Sequence, residues 1–271
     1  MIFRQCQPCA PLSKFIDGYW FYEDLAVDHT KEKLLPNGAI ELIIDLSPSP
    51  KKLYHPLDLT RFTTYRRAWI SGLQRRYIVI GAERGSSMMG VHFRTGGAAP
   101  FFGFPISELT ASVIELDLIW KREVYGLRDR LLDEPDISRK FDILEEFLLA
   151  KSRGNLDGDS TVEVALSALR RWPVLPLREL AARIGVSQKK MISRFDARVG
   201  CTPKLASRIF RFQRALETAY RAKDHDGAEL AQQCGYYDQS HFIHEFQEFA
   251  GMTAAEYARR RTEFPDYIYL D

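Results

Sequence analysis

Residues 179–203 read ELAARIGVSQKKMISRFDARVGCTP, and residues 229–254 read ELAQQCGYYDQSHFIHEFQEFAGMTA. The two stretches are one unit written twice. Glu179, Leu180, Ala181 and Gly185 recur at an offset of 50 as Glu229, Leu230, Ala231 and Gly235. Phe195, Gly200 and Thr202 recur at an offset of 51 as Phe246, Gly251 and Thr253, so one residue is inserted inside the second copy. A repeated helix, glycine turn and helix is the sequence form of paired helix-turn-helix modules.

In the first unit, Leu177, Leu180, Ala181 and Ile184 sit at helical spacing and predict a supporting helix over 177–184. Gly185 supplies a left-handed residue for the turn, and Ser187 is a natural N-cap for a second helix over 188–199. Met191, Phe195 and Val199 form the buried stripe of that helix. Its opposite face presents Gln188, Lys189, Ile192 and Ser193, where the N-terminal half of a recognition helix meets base edges. Lysine suits guanine acceptors and glutamine suits adenine. Lys190, Arg194 and Arg198 are placed to neutralise phosphates.

Beyond Pro203, Leu205, Ile209, Phe212, Leu216 and Ala219 alternate by four and three, which predicts a linker helix over 203–221. About 17 helical residues span ~25 Å, a scale that can hold two recognition helices roughly one DNA turn, ~34 Å, apart. Arg208 and Arg211 on this helix are further expected DNA contacts. In the second unit Asp238 caps the reading helix, and Phe242, Phe246 and Phe249 form its core stripe. Gln239, Ser240, His241, Ile243 and His244 form its reading face, with Arg259 and Arg260 following as phosphate contacts.

The two units differ in charge. Residues 176–223 hold twelve basic and three acidic side chains, a net +9; residues 224–258 hold seven acidic and no Lys or Arg, a net −7. Duplex DNA carries one negative charge per ~1.7 Å, so phosphate neutralisation dominates affinity. The first unit is therefore expected to dominate binding, and the second to dock weakly or to serve packing or contact with RNA polymerase.

The rest of the 271-residue chain reads as an α+β arrangement. A β-rich, antiparallel stretch runs to about residue 94, with strands expected around 19–22, 34–35, 40–46, 68–73, 77–80 and 88–93, and one more near 113–116. Pro36-Asn37-Gly38 marks a turn. Helices are expected over 98–104, 118–132, 137–151 and 162–172. The linker SRGNLDGDS at 152–160 separates an N-terminal sensor or dimerisation domain, 1–155, from an all-α domain, 158–264. That domain holds a first helix-turn-helix at 176–200, the linker helix at 203–221 and a second helix-turn-helix at 226–251. The aromatic residues Trp20, Tyr22, Trp69, Phe93, Phe101 and Phe102 would line an apolar effector pocket or, for most of them, an ordinary sheet core. His29, His92 and Arg94 would be polar anchors there or would play structural and surface roles.

Several classes are excluded. No nucleotide-binding, zinc-protease or nucleophile-elbow motif is present, so no catalytic residue is assigned and no enzyme activity is expected. An alkyl-accepting repair enzyme would need four clustered zinc ligands, and only Cys6 and Cys9 are close in sequence. Cys201 and Cys234 are expected as unpaired thiols in a reducing compartment. No metal or cofactor is expected. The N-terminus has no signal-peptide pattern and no run reaches the ~20 apolar residues of a membrane span, so a cytoplasmic location is expected.

The layout over 176–261 resembles the AraC/XylS family of transcription regulators, most closely in GYYDQSHFIHEFQEFAGMT. LPNGAIELI at 35–43 and GVHFRTGGAAPFFG at 90–103 are similar to the sensor-like domain of one AraC-type subgroup. The resemblance implies two DNA-reading modules joined by a helix, and an N-terminal domain for effector binding or dimerisation. The expected partners are double-stranded promoter DNA, RNA polymerase, a small-molecule effector and a second copy of the chain, with no membrane. The chain departs from the family where His244, Gln247, Glu248 and Ser193 replace frequent basic residues and Ala254 replaces a usual proline. The acidic second unit suits a rival reading, a protein-interaction or co-regulator module that has largely lost DNA binding; the +9 stretch opposes it.

Overall fold

The computed structural model describes residues 1–152, 154, 156–171, 174–221 and 227–270. Arg153 and Asn155 of the expected linker, Trp172 at the end of an expected helix and Asp226 at the start of the second unit lie outside them.

The N-terminal part is two antiparallel sheets. The first joins β1 (Ile2–Cys6), β2 (Ile16–Glu23), β4 (Ile40–Asp45), β7 (Ala68–Ser71), β9 (Met88–Phe93) and β10 (Val113–Glu115) in the order β1-β2-β9-β4-β7-β10. The second takes β3 (Lys31–Leu34), β5 (Lys51–His55), β6 (Asp58–Tyr65), β8 (Ile78–Gly81) and β11 (Tyr267–Leu270) in the order β11-β3-β8-β5-β6. Alternation divides the first sheet cleanly. Tyr19, Phe21, Leu42, Ile44, Ile70, Met89, Val91 and Phe93 face the main core. Trp20, Tyr22, Ile43, Trp69 and Met88 point the other way, into the space between the sheets.

Two strand features differ from the sequence expectation. The strands β1, β5 and β6 have few buried positions, and β6 is exposed along most of its length, so no apolar alternation announces them. The strand β11 lies beyond the helical domain, past residue 264, yet pairs with β3 through Tyr267 with Leu34 and Leu270 with Lys31. The chain's last strand therefore belongs to the N-terminal fold.

The helices are α1 (Asp117–Trp120), α2 (Glu123–Asp133), α3 (Ile137–Ser152) and α4 (Ser160–Arg170). The single helix expected over 118–132 is two, because Lys121 takes a left-handed φ of 53° between them. The helix expected over 98–104 is only a 3-10 turn at Ala99–Phe101; Pro100 has no N–H to donate, and Phe102 is extended.

The C-terminal helices are α5 (Leu177–Ile184), α6 (Gln188–Val199), α7 (Pro203–Arg221), α8 (Gly227–Cys234), α9 (Gln239–Ala250) and α10 (Ala254–Arg260). Ser187 caps α6 and Asp238 caps α9, each through its side-chain oxygen. Gly185, Gly200 and Gly251 end α5, α6 and α9 in the left-handed conformation. Met191, Phe195 and Val199, and Phe242, Phe246 and Phe249, are buried as their spacing predicts. One contiguous apolar cluster runs from the first sheet through α4 into both units, so the linker at 152–160 does not separate two cores.

Candidate nucleic-acid interface and the cavity behind it

On α6, Gln188, Lys189, Lys190, Ile192 and Ser193 are exposed along one face. Arg194 is not free with them. Its Nη1 donates to Asp159 Oδ1 and to Thr161 Oγ1, both at 2.8 Å, which fastens α6 to the start of α4. Arg198 is half-buried in the cleft between α4 and the first sheet, together with Arg94 and Arg170. Arg194 and Arg198, expected at phosphates, do not stand on the open face with the lysines here: Arg194 is held by Asp159 and Thr161, and Arg198 is half-buried.

On α9, Gln239, Ser240, Ile243 and His244 are exposed. His241 is half-buried with its ring edge-on to Tyr236, 5.4 Å between centroids. Only two exposed identities survive between the reading faces: Gln188 matches Gln239, and Ile192, 41% exposed, matches Ile243, 42% exposed. Lys189 has become Ser240, and Ser193 has become His244. Arg259 and Arg260 are exposed on α10.

The opposite charges of the two halves meet on the linker helix. Arg208 donates to Glu245 Oε2 at 2.7 Å and to Glu248 Oε2 at 2.6 Å. Arg211 donates to both oxygens of Glu245, at 2.9 and 2.7 Å. Glu245 is 3% exposed. Burial alone would push its carboxyl up, but the hydrogen bonds and charges of Arg211 and Arg208 outweigh that and hold it below 4.5. Arg208 and Arg211, expected at phosphates, each bond a carboxylate of the second unit. Charge pairing between side chains 34 to 40 residues apart gives a reading face no local sign.

Both recognition helices rest on the N-terminal part at the same place, the C-terminal glycine. The Thr110 hydroxyl donates to Gly200 O, and Ser107 Oγ donates to Asp196 Oδ2 at 2.9 Å. In the second unit, Tyr77 N donates to Phe249 O at 2.9 Å and Lys33 Nζ to Ala250 O at 3.2 Å. A Cβ on Gly251 would lie 2.1 Å from the Tyr77 ring, and one on Gly200 would lie 3.0 Å from Ile106, so glycine permits both approaches. The two supports touch each other: Ala111 N donates to Leu73 O at 2.8 Å, and Gln74 Nε2 bonds Gly72 O at 3.0 Å and Ser112 O at 3.2 Å.

Gln74 also lines a cavity of about 180 Å³ between the two sheets. Trp20 and Tyr22 stack on its floor, 5.7 Å apart and 8° from parallel, and Tyr65 and Trp69 stand beside them. Gly90 makes the floor possible, since a Cβ there would lie 2.2 Å from the Trp20 indole. Of the aromatic residues weighed for a pocket, Trp20, Tyr22 and Trp69 line it, while Phe93, Phe101 and Phe102 pack in the core. His29 bonds Glu32 at 2.8 Å and stacks on Tyr269, and His92 bonds Glu41 at 2.9 Å. Arg94 pairs with Asp17 at 3.0 Å. One wall comes from the chain's end, Asp266 and Tyr267, and it is tied to the linker helix: Gln213 on α7 donates to Asp266 Oδ1 at 2.9 Å and to Pro36 O at 2.7 Å. Nothing in the local pattern of 262–271 marks it as a cavity wall, because its partners lie more than 200 residues away.

Cys6, Cys9, Cys201 and Cys234 are all unpaired. Among the described residues no group of three or more His, Cys, Asp or Glu side chains could hold a metal, and no helix is long and apolar enough to cross a membrane.

Residues 180–260 match a family model described as a helix-turn-helix domain, and residues 4–115 match one described as a domain of unknown function (DUF6597). The C-terminal part is a helix-turn-helix domain of the AraC type, as the sequence resemblance implies. No curated protein matches the chain. Among solved structures, ToxT from Vibrio cholerae is similar at 9% identity over 96% of this chain and 98% of that one, with a TM-score of 0.47. ToxT from Vibrio cholerae O395 bound to (E)-4-(8-methylnaphthalen-1-yl)but-3-enoic acid is similar at 11% identity over 96% and 99%, with a TM-score of 0.46. A transcriptional regulator from Chromobacterium violaceum, described among AraC-type DNA-binding domain-containing proteins, is similar at 19% identity over 38% and 93%, with a TM-score of 0.36.

Proposed function

We propose that the chain is a sequence-specific DNA-binding transcription regulator whose first helix-turn-helix unit supplies most of the affinity and whose sheet cavity receives a small-molecule effector. The observation that carries this reading is the exposed face of α6, with Gln188, Lys189, Lys190, Ile192 and Ser193 open at the N-terminal half of a capped helix. Two lysines meet phosphate or guanine there, and the face has no acidic neighbour among 187–193. The α9 face has the same backbone but no Lys or Arg, and Glu248 lies at its exposed edge. It contributes shape and a few polar contacts, and Arg259 and Arg260 serve the phosphates beside it.

The reading of the cavity rests on its connections. A molecule placed between the sheets touches Gln74 and Tyr267, and these residues lead to the supports of both recognition helices and to the linker helix. RNA polymerase contact is assigned to the second unit, where Tyr237 is 92% exposed beside the acidic helix face. A homodimer would use an open edge strand, β1 or β6.

Selection of bound sequences from random duplex DNA tests the function itself. The full chain enriches a defined sequence, and its affinity falls steeply with salt. Failure to enrich any sequence, with binding flat in salt, favours the protein-interaction module instead.

A further inference from the structure

The cavity between the sheets carries a charge pattern that its aromatic lining alone would not suggest. Glu32 on β3, Glu41 on β4 and Asp266 at the start of β11 converge on one corner of it, around Tyr267. The phenol of Tyr267 is pushed well up, first by burial and then by Glu41, Glu32 and Asp266 acting together. The corner holds no Lys or Arg partner for these acids among the described residues. Glu32 and Glu41 bond the imidazoles of His29 and His92, and Asp266 bonds the side-chain amide of Gln213. Lys51 and Lys52 also line the cavity, and the nearby lysines each have a partner of their own. Lys51 lies 3.9 Å from Asp45 and 3.8 Å from Glu83; Lys31, Lys33 and Lys52 set their ammonium groups over Tyr54, Tyr77 and Phe62.

Beside Glu41, on the same face of the first sheet, the lining is aromatic. The Trp20 indole lies on Gly90, parallel to the Tyr22 ring, and Tyr65 and Trp69 stand near them. Aromatic faces carry negative electrostatic potential and attract organic cations, more strongly where water is excluded. Size limits the guest. An apolar cavity of ~150 Å³ takes one benzene, so about 180 Å³ takes one ring with a short side chain.

We propose that the sheet cavity is a binding site for a small organic cation, a single-ring amine or quaternary ammonium compound, held between the Trp20–Trp69 aromatic wall and the Glu32–Glu41–Asp266 corner. This rests on the effector reading of the cavity and adds the ligand's charge and size to it. It also gives the ligand a lever. A cation bound at Asp266 touches the residue that Gln213 of the linker helix holds, so occupancy is felt on α7.

The test measures binding to the full chain by calorimetry and by Trp20 and Trp69 fluorescence. The probes are 2-phenylethylamine, benzyltrimethylammonium, 2-phenylethanol and phenylacetate, close in size and different in charge. The two cations are expected to bind about ten-fold or more tighter than the alcohol and the carboxylate. The double variant Glu32→Gln with Glu41→Gln is expected to bring the ratio under about three-fold and to leave the alcohol's affinity within about two-fold. Trp69→Leu is expected to weaken every probe, and its thermal midpoint and DNA binding confirm that it folds. Equal or tighter binding of phenylacetate or 2-phenylethanol overturns the cation assignment. So does a charge preference that survives the double variant, and so does the failure of all four probes to bind. Enrichment of specific DNA by the same preparation separates these failures from a failure of the regulator reading.

Discussion

Arg211 and Glu245 meet across the linker helix and the second recognition helix in a two-pronged pair, Nε to Oε1 at 2.9 Å and Nη2 to Oε2 at 2.7 Å. Arg208 shares the same carboxylate. Removing one member of a buried pair leaves the other charge without compensation, at about 3 kcal/mol. Glu245→Ala is therefore expected to lower the unfolding free energy in urea by that order, and Glu245→Gln by less. The pair also sets an acid limit. Glu245's folded pKa is depressed, so its contribution is present above the ordinary value of 4.5 and is lost as pH falls through the depressed value. In urea titrations between pH 6 and pH 3, the wild-type chain loses this contribution at the acid end and Glu245→Gln has none of it to lose.

Lys189 and Lys190 are exposed on α6, whereas Arg194 is tied to Asp159 and Thr161. Lys189→Ala and Lys190→Ala are each expected to weaken DNA binding and to reduce the slope of log K against log salt by about 1. Arg194→Ala is expected to leave that slope unchanged and to lower thermal stability instead. Titrations by fluorescence anisotropy at several salt concentrations measure the slopes.

The retained pairs Gln188 with Gln239 and Ile192 with Ile243 predict what the two units read in common. Glutamine suits adenine, and an exposed isoleucine suits the thymine methyl group. Each groove's site should contain an A·T pair. Replacing the contacted thymine by deoxyuridine, which removes only the methyl, is expected to weaken binding about four-fold, the value of one buried carbon. In Ile192→Ala or Ile243→Ala the same replacement at the matching site should cost nothing further.

Gly251 sits at φ 63° with the Tyr77 ring where its Cβ would go. Gly251→Ala is expected to cost about 2 kcal/mol, part from the left-handed backbone and part from the clash. Adding Tyr77→Ala relieves the clash and should recover part of the loss. If the double variant is as unstable as the sum of the two single changes, the two residues are not in contact.

Tyr267 and Asp266 form one wall of the sheet cavity from the end of the chain. Deletion of residues 267–271 is expected to open the cavity to water and to shift the emission of Trp20 and Trp69 to longer wavelength. Unchanged emission would mean that β11 does not close the cavity.

Parts of this design can be read without a structure. Helices α5, α6 and α7 fall at the residues that their caps and apolar spacing indicate, because Ser187, Gly185, Gly200 and Pro203 act on their own neighbours. The exposed residues of both reading faces follow from the same periodicity. What sequence alone does not reveal depends on distant partners. The ion pairs of Arg194, Arg208 and Arg211 with Asp159, Glu245 and Glu248 join residues 34 or more apart and have no local sign. The strand β11 looks like a tail until β3 pairs with it. The charge imbalance of the two units is legible as a count, and its resolution on the linker helix is a tertiary fact.

The most direct test of unequal use is a parallel titration of selected duplex DNA with Lys189→Ala, Gln239→Ala and His244→Ala at one salt concentration. The account predicts that Lys189→Ala weakens binding by about ten-fold or more, at one base or phosphate contact, while Gln239→Ala and His244→Ala each change it by less than about three-fold. Wild-type affinity for Lys189→Ala together with loss of binding in His244→Ala would contradict it.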